Sequence, residues 1–199
     1  MTLPTGGLAP EGSPPRIGAL ATPSQTAGPF VSLGTAWAVD AARLDEGAPG
    51  AVVVTGSVLD GSNMAVTDAL LELYQADGQG RLPPEVPRSW TGFTRAFTGT
   101  DGRYRVVTLK PGALQGTGGG PQAPHIDVSI FARGLLQRLV TRIYFPDEGA
   151  NQTDPVLAGL EPGLRHRLVA ELTLSEEGPP TYSFDIHLQG ERETVFFAI

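Results

Sequence analysis

The stretch QAPHIDVSIFARGLLQRLVTRIYFPDE, residues 122–148, decides the fold of this chain. Successive side chains of a strand point to opposite faces of its sheet. A strand that begins at His125 therefore places Ile126, Val128 and Ile130 together on one apolar face. This alternation predicts a strand that is buried on that side.

Two polar residues, His125 and Asp127, occupy the other face of the predicted strand. A bend at Arg133–Gly134 leads into a second alternating run, residues 138–145. A polar pair at the start of one strand and an arginine at the bend predict a site on a β scaffold.

The rest of the chain also has the composition and alternation expected of β-strands. Its 199 residues include 26 glycines and 18 prolines, which suit short strands joined by turns. Further alternating or β-branched runs predict strands at 51–60, 69–75, 90–98, 103–109, 167–174 and 182–188. We therefore predict an all-β protein, a β-sandwich of about seven to nine strands with long loops and little helix.

Helix is expected in two places only. A short helix is predicted around 39–44, and another begins at Thr153-Asp154-Pro155, where a capping side chain precedes a proline. Residues 1–21 are rich in glycine and proline and are predicted to be a flexible lead-in. Residues 22–199 are predicted to form a single domain.

Composition excludes several functions. The formal charge of −7 disfavours nucleic acid as a partner, and the absence of cysteine excludes disulfides and thiolate chemistry. The sequence has neither the pattern of a signal peptide nor a stretch that could span a bilayer, so a cytoplasmic location is expected.

Four motifs resemble one enzyme family. They are T-P-S-Q-T-x-G-P-F at 22–30, T-D-G-x-Y-x-x-x-T-L-K-P-G at 100–112, H-I-x-x-S-I-F-A-R-G at 125–134 with R-I-Y-F-P-D-E at 142–148, and Q-G-E-x-E-T-V-F-F at 189–197. In combination they resemble the intradiol ring-cleaving dioxygenases. Within that family they resemble most the α chains of two-chain members that cleave protocatechuate.

Catalytic members of this family hold a ferric ion with two tyrosines and two histidines, and the second histidine is Asp127 here. One tyrosine loop corresponds to residues 79–89, which contain no tyrosine. Leu114 stands in place of the other tyrosine, and Gln122 stands in place of a pocket arginine. The resemblance thus implies no catalytic residue and no metal ligand in this chain. His125 and Asp127 are interpreted as relics, hydrogen-bonded to each other or to nearby backbone.

The remaining candidates for metal ligands have simpler interpretations. The four tyrosines lie inside strand patterns and are predicted to pack in the core or on a sheet face: Tyr74, Tyr104, Tyr144 and Tyr182. His166 and His187 are interpreted as packed or solvated histidines. A site of two histidines and one carboxylate at His125 and Asp127 would need a second histidine that the pattern does not supply.

For substrate binding, the resemblance implies a site shared with a partner chain. Arg133 would extend into the partner's pocket and bind the ring carboxylate of the substrate, for which a guanidinium offers charge-assisted hydrogen bonds. Thr26, Gly28, Pro29 and Phe30 would form part of the pocket wall. Phe30 stands where the family commonly has tyrosine, so the apolar wall would be kept without a hydroxyl.

The resemblance implies that the chain is the non-catalytic α subunit, with Fe(III) held by a homologous β subunit. The reaction would be cleavage of protocatechuate with O2 to 3-carboxy-cis,cis-muconate in aromatic catabolism, carried out by higher assemblies of αβ units. The isolated chain would be inactive. Two alternatives stay open: a self-sufficient iron dioxygenase with displaced ligands, and a non-enzymatic β-sandwich that binds a ligand or partner.

Overall fold

The computed structural model describes residues 23–28, 30–35, 44–82, 91–116, 120–174 and 178–198. Nine strands lie within them: β1 Ala51–Leu59, β2 Leu70–Gln75, β3 Phe93–Phe97, β4 Arg103–Leu109, β5 His125–Phe131, β6 Leu139–Tyr144, β7 Glu171–Thr173, β8 Thr181–Ser183 and β9 Ile186–His187. Two short helices are α1 Val31–Thr35 and α2 Pro155–Gly159. Two 3₁₀ turns span Gly149–Gln152 and Arg165–Leu168.

The first sheet is built around β1. It has the order β4-β1-β8-β7, and β9 pairs with β1 beyond the end of β8. The valine run of β1 explains its central place, since β-branched side chains favour extended backbone and pack well against neighbouring strands. β4 is antiparallel to β1, whereas β8 and β9 are parallel to it.

The second sheet has the order β3-β2-β5-β6 and is antiparallel throughout. One of its two central strands is β5, which was predicted as a strand beginning at His125. Ile126, Val128 and Ile130 are fully buried. His125 and Asp127 lie on the opposite face, as the alternation predicted.

The two sheets pack face to face and enclose one main core. The first sheet contributes Val54, Val58 and Ile186, and the second contributes Leu71 and Ile143. A smaller apolar cluster packs α2 and the second 3₁₀ turn against the end of β6: Ala123, Tyr144, Leu157 and Leu168. The prediction of an all-β sandwich with little helix is confirmed.

Two predicted strands differ from the structure. The run 167–174 forms a strand only over Glu171–Thr173, because its first residues close the 3₁₀ turn Arg165–Leu168. The alternating run 182–188 is divided into β8 and β9. Between them the carbonyl of Phe184 accepts a hydrogen bond from the Tyr104 hydroxyl (2.6 Å), and the Asp185 carboxylate accepts one from the Ser57 amide.

The predicted start of α2 is confirmed. Asp154 caps the helix by accepting hydrogen bonds from the amides of Val156 and Leu157, and Pro155 occupies the first turn. Helix α1 was not predicted. The lead-in expected at 1–21 lies outside the described residues, as does the helix expected around 39–44 except for Leu44, which is not helical. No helix in the described part of the chain is long and apolar enough to cross a membrane.

Candidate functional site

The residues singled out by sequence lie at the two ends of β5. His125 and Asp127 are at its first residues, and Arg133 is two residues past its last. Six residues of strand span about 20 Å. The polar pair and the arginine therefore form two separate regions, not one site as the opening pattern suggested.

At the first end, an arginine from the neighbouring strand occupies the polar face. Asp127 and Arg142 are directly opposite each other in the β5–β6 register. The Arg142 Nε donates to Asp127 Oδ1 (2.8 Å), and its Nη1 donates to Gln122 Oε1 (2.9 Å) and, more weakly, to the Tyr144 hydroxyl (3.3 Å). One guanidinium thus joins three separate side-chain oxygens.

A buried aspartate extends this network into the protein. The Tyr144 hydroxyl donates to Asp154 Oδ1 (3.1 Å), and the Ala123 amide donates to Asp154 Oδ2 (2.8 Å). Tyr144 and Asp154 are both fully buried. Since Asp154 also caps α2, this carboxylate fastens the helix to the start of β5. We call Gln122, His125, Asp127, Arg142, Tyr144 and Asp154 the Arg142 cluster.

His125 is buried at the edge of this cluster. Its Nδ1 lies 2.7 Å from the Ala123 carbonyl, whereas its Nε2 is 3.9 Å from Asp127 Oδ1, too far for a hydrogen bond. Of the two partners predicted for His125, the backbone is therefore found and the aspartate is not. Burial lowers the pKa of His125, and the charge of Arg142 lowers it further.

The cluster does not fit the ferric site of the family's catalytic members. Asp127 is already neutralised by the Arg142 cation, which would repel a metal ion beside it. Leu114, in the place of a tyrosine ligand, is paired with Gln122 through two backbone hydrogen bonds and brings an apolar side chain there. Within the described residues, no three His, Cys, Asp or Glu side chains are grouped closely enough to hold a metal ion between them.

At the other end of β5, Arg133 is in an open position. Its guanidinium pairs with the Asp68 carboxylate, and the two side chains are 67% and 32% exposed. The next residue, Gly134, has φ +91, a conformation that favours glycine and lets the chain turn from β5 toward β6. The Arg133 side chain is thus exposed at a tight turn beyond the end of β5.

The segment predicted as a pocket wall lies against this turn. The Thr26 hydroxyl accepts a hydrogen bond from the Gly134 amide (2.7 Å) and donates to the Ala132 carbonyl (3.3 Å). Gly28 follows in an exposed position, and Phe30 is 75% exposed just before α1. Pro29 lies outside the described residues. We call Thr26, Gly28, Phe30, Asp68 and Arg133 the Arg133 end.

Two adjoining cavities are found at the Arg133 end. The first, of about 300 Å³, is lined by both partners of the Arg133–Asp68 pair and by apolar side chains. The second, of about 510 Å³, extends along the β5–β6 turn. Residues of α1, the preceding segment and β2 and β5 line both: Ala27, Gly28, Val31, Leu70 and Phe131. The first cavity thus has the apolar surface to hold an aromatic ring and a guanidinium at its rim to pair with a carboxylate on that ring.

The structure places Thr26 and Gly28 close to Arg133, and their role in substrate binding stays a prediction, as does that of Phe30. Sequence reasoning missed Arg142 and Asp68. Alternation along 138–145 places Arg142 on the same face of the sheet as Asp127, which was an available signal. No local pattern indicated Asp68, which meets Arg133 across 65 positions of sequence.

Comparisons with known proteins agree with this architecture. The family model described as "Dioxygenase" matches residues 26–190. The chain is 41% identical to the protocatechuate 3,4-dioxygenase alpha chain of Burkholderia cepacia over 89% of this chain and 97% of that one. It is 40% identical to the alpha chain of Pseudomonas putida over 88% and 95% of the two chains. It is also 37% identical to the beta chain of Burkholderia cepacia, over 72% and 66%.

Solved structures share the fold. The dioxygenase domain of a dioxygenase carbohydrate-binding protein fusion from Streptomyces sp. SirexAA-E has a TM-score of 0.58 at 28% identity, over 74% of this chain and 85% of that one. Catechol 1,2-dioxygenase from Pseudomonas arvilla C-1 has a TM-score of 0.60 at 23% identity, over 74% and 55%. The family match and the alpha-chain relatives together show that this chain belongs to the intradiol dioxygenase family, among the alpha chains of protocatechuate 3,4-dioxygenase.

Proposed function

We propose that this chain is the non-catalytic α subunit of a protocatechuate 3,4-dioxygenase, in which it completes the substrate pocket of an iron-bearing β subunit. The enzyme cleaves protocatechuate with O2 to 3-carboxy-cis,cis-muconate, in the β-ketoadipate pathway of aromatic degradation. The single observation that carries this proposal is the similarity to alpha chains over nearly their whole length.

The partner is a homologous β chain. This chain is similar both to alpha chains and, more weakly, to a beta chain, as expected if two related chains form one enzyme. The family depends on iron. We place that iron, as Fe(III), in the β chain, and the position of Arg142 beside Asp127 supports this because a fixed cation disfavours a metal there.

Arg133 is the residue that we assign to the substrate. Two observations support this assignment: the guanidinium pairs with the Asp68 carboxylate, and the Arg133 side chain is exposed. The ring carboxylate of protocatechuate would replace Asp68 as its partner. A charge-assisted hydrogen bond of this kind contributes about 1.5–3 kcal/mol.

Thr26, Gly28, Pro29 and Phe30 form the pocket wall in this proposal. The two hydrogen bonds of the Thr26 hydroxyl fasten this segment to the turn that carries Arg133. The exposed ring of Phe30 supplies an apolar surface for the aromatic substrate without adding a hydroxyl. Residues 22–199 act as a single domain, and the complex is cytoplasmic.

Iron content and oxygen uptake with protocatechuate test the proposal. Both are measured for this chain alone and for the chain co-expressed with its β partner. Iron and turnover only in the co-expressed sample are the expected result. Tightly bound iron and turnover in the chain alone would instead identify a self-sufficient dioxygenase. A chain that neither pairs with the β chain nor supports its activity would be a binding module.

A further inference from the structure

We propose that the Arg142 guanidinium takes the place of a bound metal ion in this chain, holding together a cluster that would otherwise require a divalent cation. The proposal goes beyond the subunit function, since it concerns how this chain remains folded without a metal. It does not depend on the identity of the partner or of the substrate.

The Arg142 guanidinium is surrounded by side-chain oxygen atoms. Its nitrogens contact a carboxylate, a side-chain amide oxygen and a phenol oxygen, at 2.8, 2.9 and 3.3 Å. Carboxylate, carbonyl and phenol oxygens are also the ligands of hard and borderline cations. The guanidinium thus occupies the centre of an oxygen-rich group that a metal ion could equally organise.

The imidazole of His125 lies beside this group of oxygens. The Nε2 atom of His125 lies 3.9 Å from the same Asp127 oxygen that Arg142 binds, while its Nδ1 is held by a backbone carbonyl. A histidine fixed through one nitrogen by a carbonyl commonly presents the other to a metal. Without the guanidinium, a nitrogen and several oxygens would face one vacated position.

The Arg142 cluster connects several segments of the chain. Asp127 is on β5, Arg142 is on β6, Gln122 precedes β5, and Tyr144 connects to the cap of α2 through Asp154. Arg142 directly joins β5, β6 and the segment before β5, and it reaches α2 only through Tyr144 and Asp154. Without the guanidinium, Asp127, whose side chain is 40% exposed, would lose its ion pair, and Gln122 and the buried Tyr144 hydroxyl would each lose a hydrogen-bond donor.

Arg142→Ala removes the cation and leaves space for a metal, with Zn2+ as the probe. The matched control is Arg95→Ala, because Arg95 makes a comparable cross-strand ion pair with Glu72 (2.6 Å) on the same face of the same sheet. That pair has no histidine beside it. Arg142→Lys is the second variant, since it keeps a positive charge at the cluster.

The full chain, co-purified with its partner, is treated with a chelator and then titrated with Zn2+ while melting temperature and bound zinc are measured. We expect Arg142→Ala to melt about 5 °C or more below the wild type in chelator. Added Zn2+ should restore most of this loss and bind as one extra ion per chain relative to the wild type. Arg95→Ala and Arg142→Lys should bind no extra zinc, and Arg142→Lys should melt near the wild type.

Several outcomes would overturn the proposal. An Arg142→Ala variant that gains no zinc, or that fails to fold even with Zn2+ present, would show that the cluster cannot exchange guanidinium for metal. Equal zinc uptake by Arg95→Ala would show nonspecific binding. An Arg142→Lys variant as unstable as Arg142→Ala would show that charge is not what Arg142 supplies.

Discussion

The two ends of β5 carry the same pair, an arginine with an aspartate, in different surroundings. Arg142 is 18% exposed and has further partners in Gln122 and Tyr144. Arg133 is 67% exposed and is held by Asp68 at the rim of a cavity. An arginine fixed from several sides organises the structure, whereas one held by a single exposed carboxylate can exchange it for a ligand.

The difference in burial determines whether each salt bridge contributes to stability or is available for binding. Exposed pairs contribute little to stability, about 0–1 kcal/mol, because water competes for both charges. The Arg133–Asp68 pair thus costs little to break and can serve binding. The Arg142 cluster includes buried Tyr144 and Asp154, so the loss of one member leaves other buried polar groups without a hydrogen-bond partner.

The largest effect should come from the deepest residue of the Arg142 cluster. Asp154→Ala removes the acceptor of three backbone amides and of the Tyr144 hydroxyl. We expect a loss of about 3–5 kcal/mol in the free energy of unfolding, seen as a lower melting temperature of the complex. Asp154→Asn keeps a good helix cap and should lose less. Equal losses for both variants would contradict this account.

At the Arg133 end, the effect should be on binding. Arg133→Ala should raise KM for protocatechuate roughly 10- to 100-fold, with little change in melting temperature, because a charge-assisted contact to the carboxylate is lost. Arg105→Ala is a matched control, since Arg105 makes a similarly exposed ion pair with Glu46 on the other sheet (2.7 Å). An unchanged KM in Arg133→Ala would leave Arg133 without a role in binding.

Lowering the pH should destabilise the folded chain because His125, in the Arg142 cluster, becomes protonated. Since burial lowers the pKa of His125 from 6.5 in the folded chain, the unfolded chain takes up the proton first. Stability is therefore present above pH 6.5 and lost as the pH falls toward the folded pKa. His125→Gln should flatten the dependence of melting temperature on pH; an unaltered slope would count against it.

Substitution of Asp68 should change KM less than substitution of Arg133 does, and in the opposite direction. If the substrate carboxylate displaces Asp68 from the guanidinium, Asp68→Asn removes a competitor and should lower KM about two- to fivefold. The double variant with Arg133→Ala should show no such gain. Steady-state kinetics decide the point, and a raised KM in Asp68→Asn would mean that Asp68 positions Arg133 instead.

The smallest effect is expected at Thr26. Thr26→Val removes both hydrogen bonds that hold the wall segment to the turn at Gly134, in an exposed position. KM should rise less than about threefold, equivalent to roughly 0.5 kcal/mol. Thr26→Ser keeps the hydroxyl and should match the wild type. A larger rise in Thr26→Ser than in Thr26→Val would rule out the hydrogen bonds as the cause.

Much of the fold was predictable because its signals are local. Strict alternation along β5, the valine run of β1 and the capping Asp154 each depend on residues close in sequence. The single run 182–188 was predicted wrongly for the same reason. Its division depends on Tyr104 and Ser57, which reach it from distant strands.

The sequence by itself determined the sandwich, the face on which His125 and Asp127 lie, and the family. Only the tertiary structure decided that Arg142 faces Asp127 and that Asp68 holds Arg133. Alternation defines the face of a side chain but not its partner across the sheet, which depends on strand register and on the turn at Gly134. A pairing such as Arg133–Asp68 arises only when distant segments fold together.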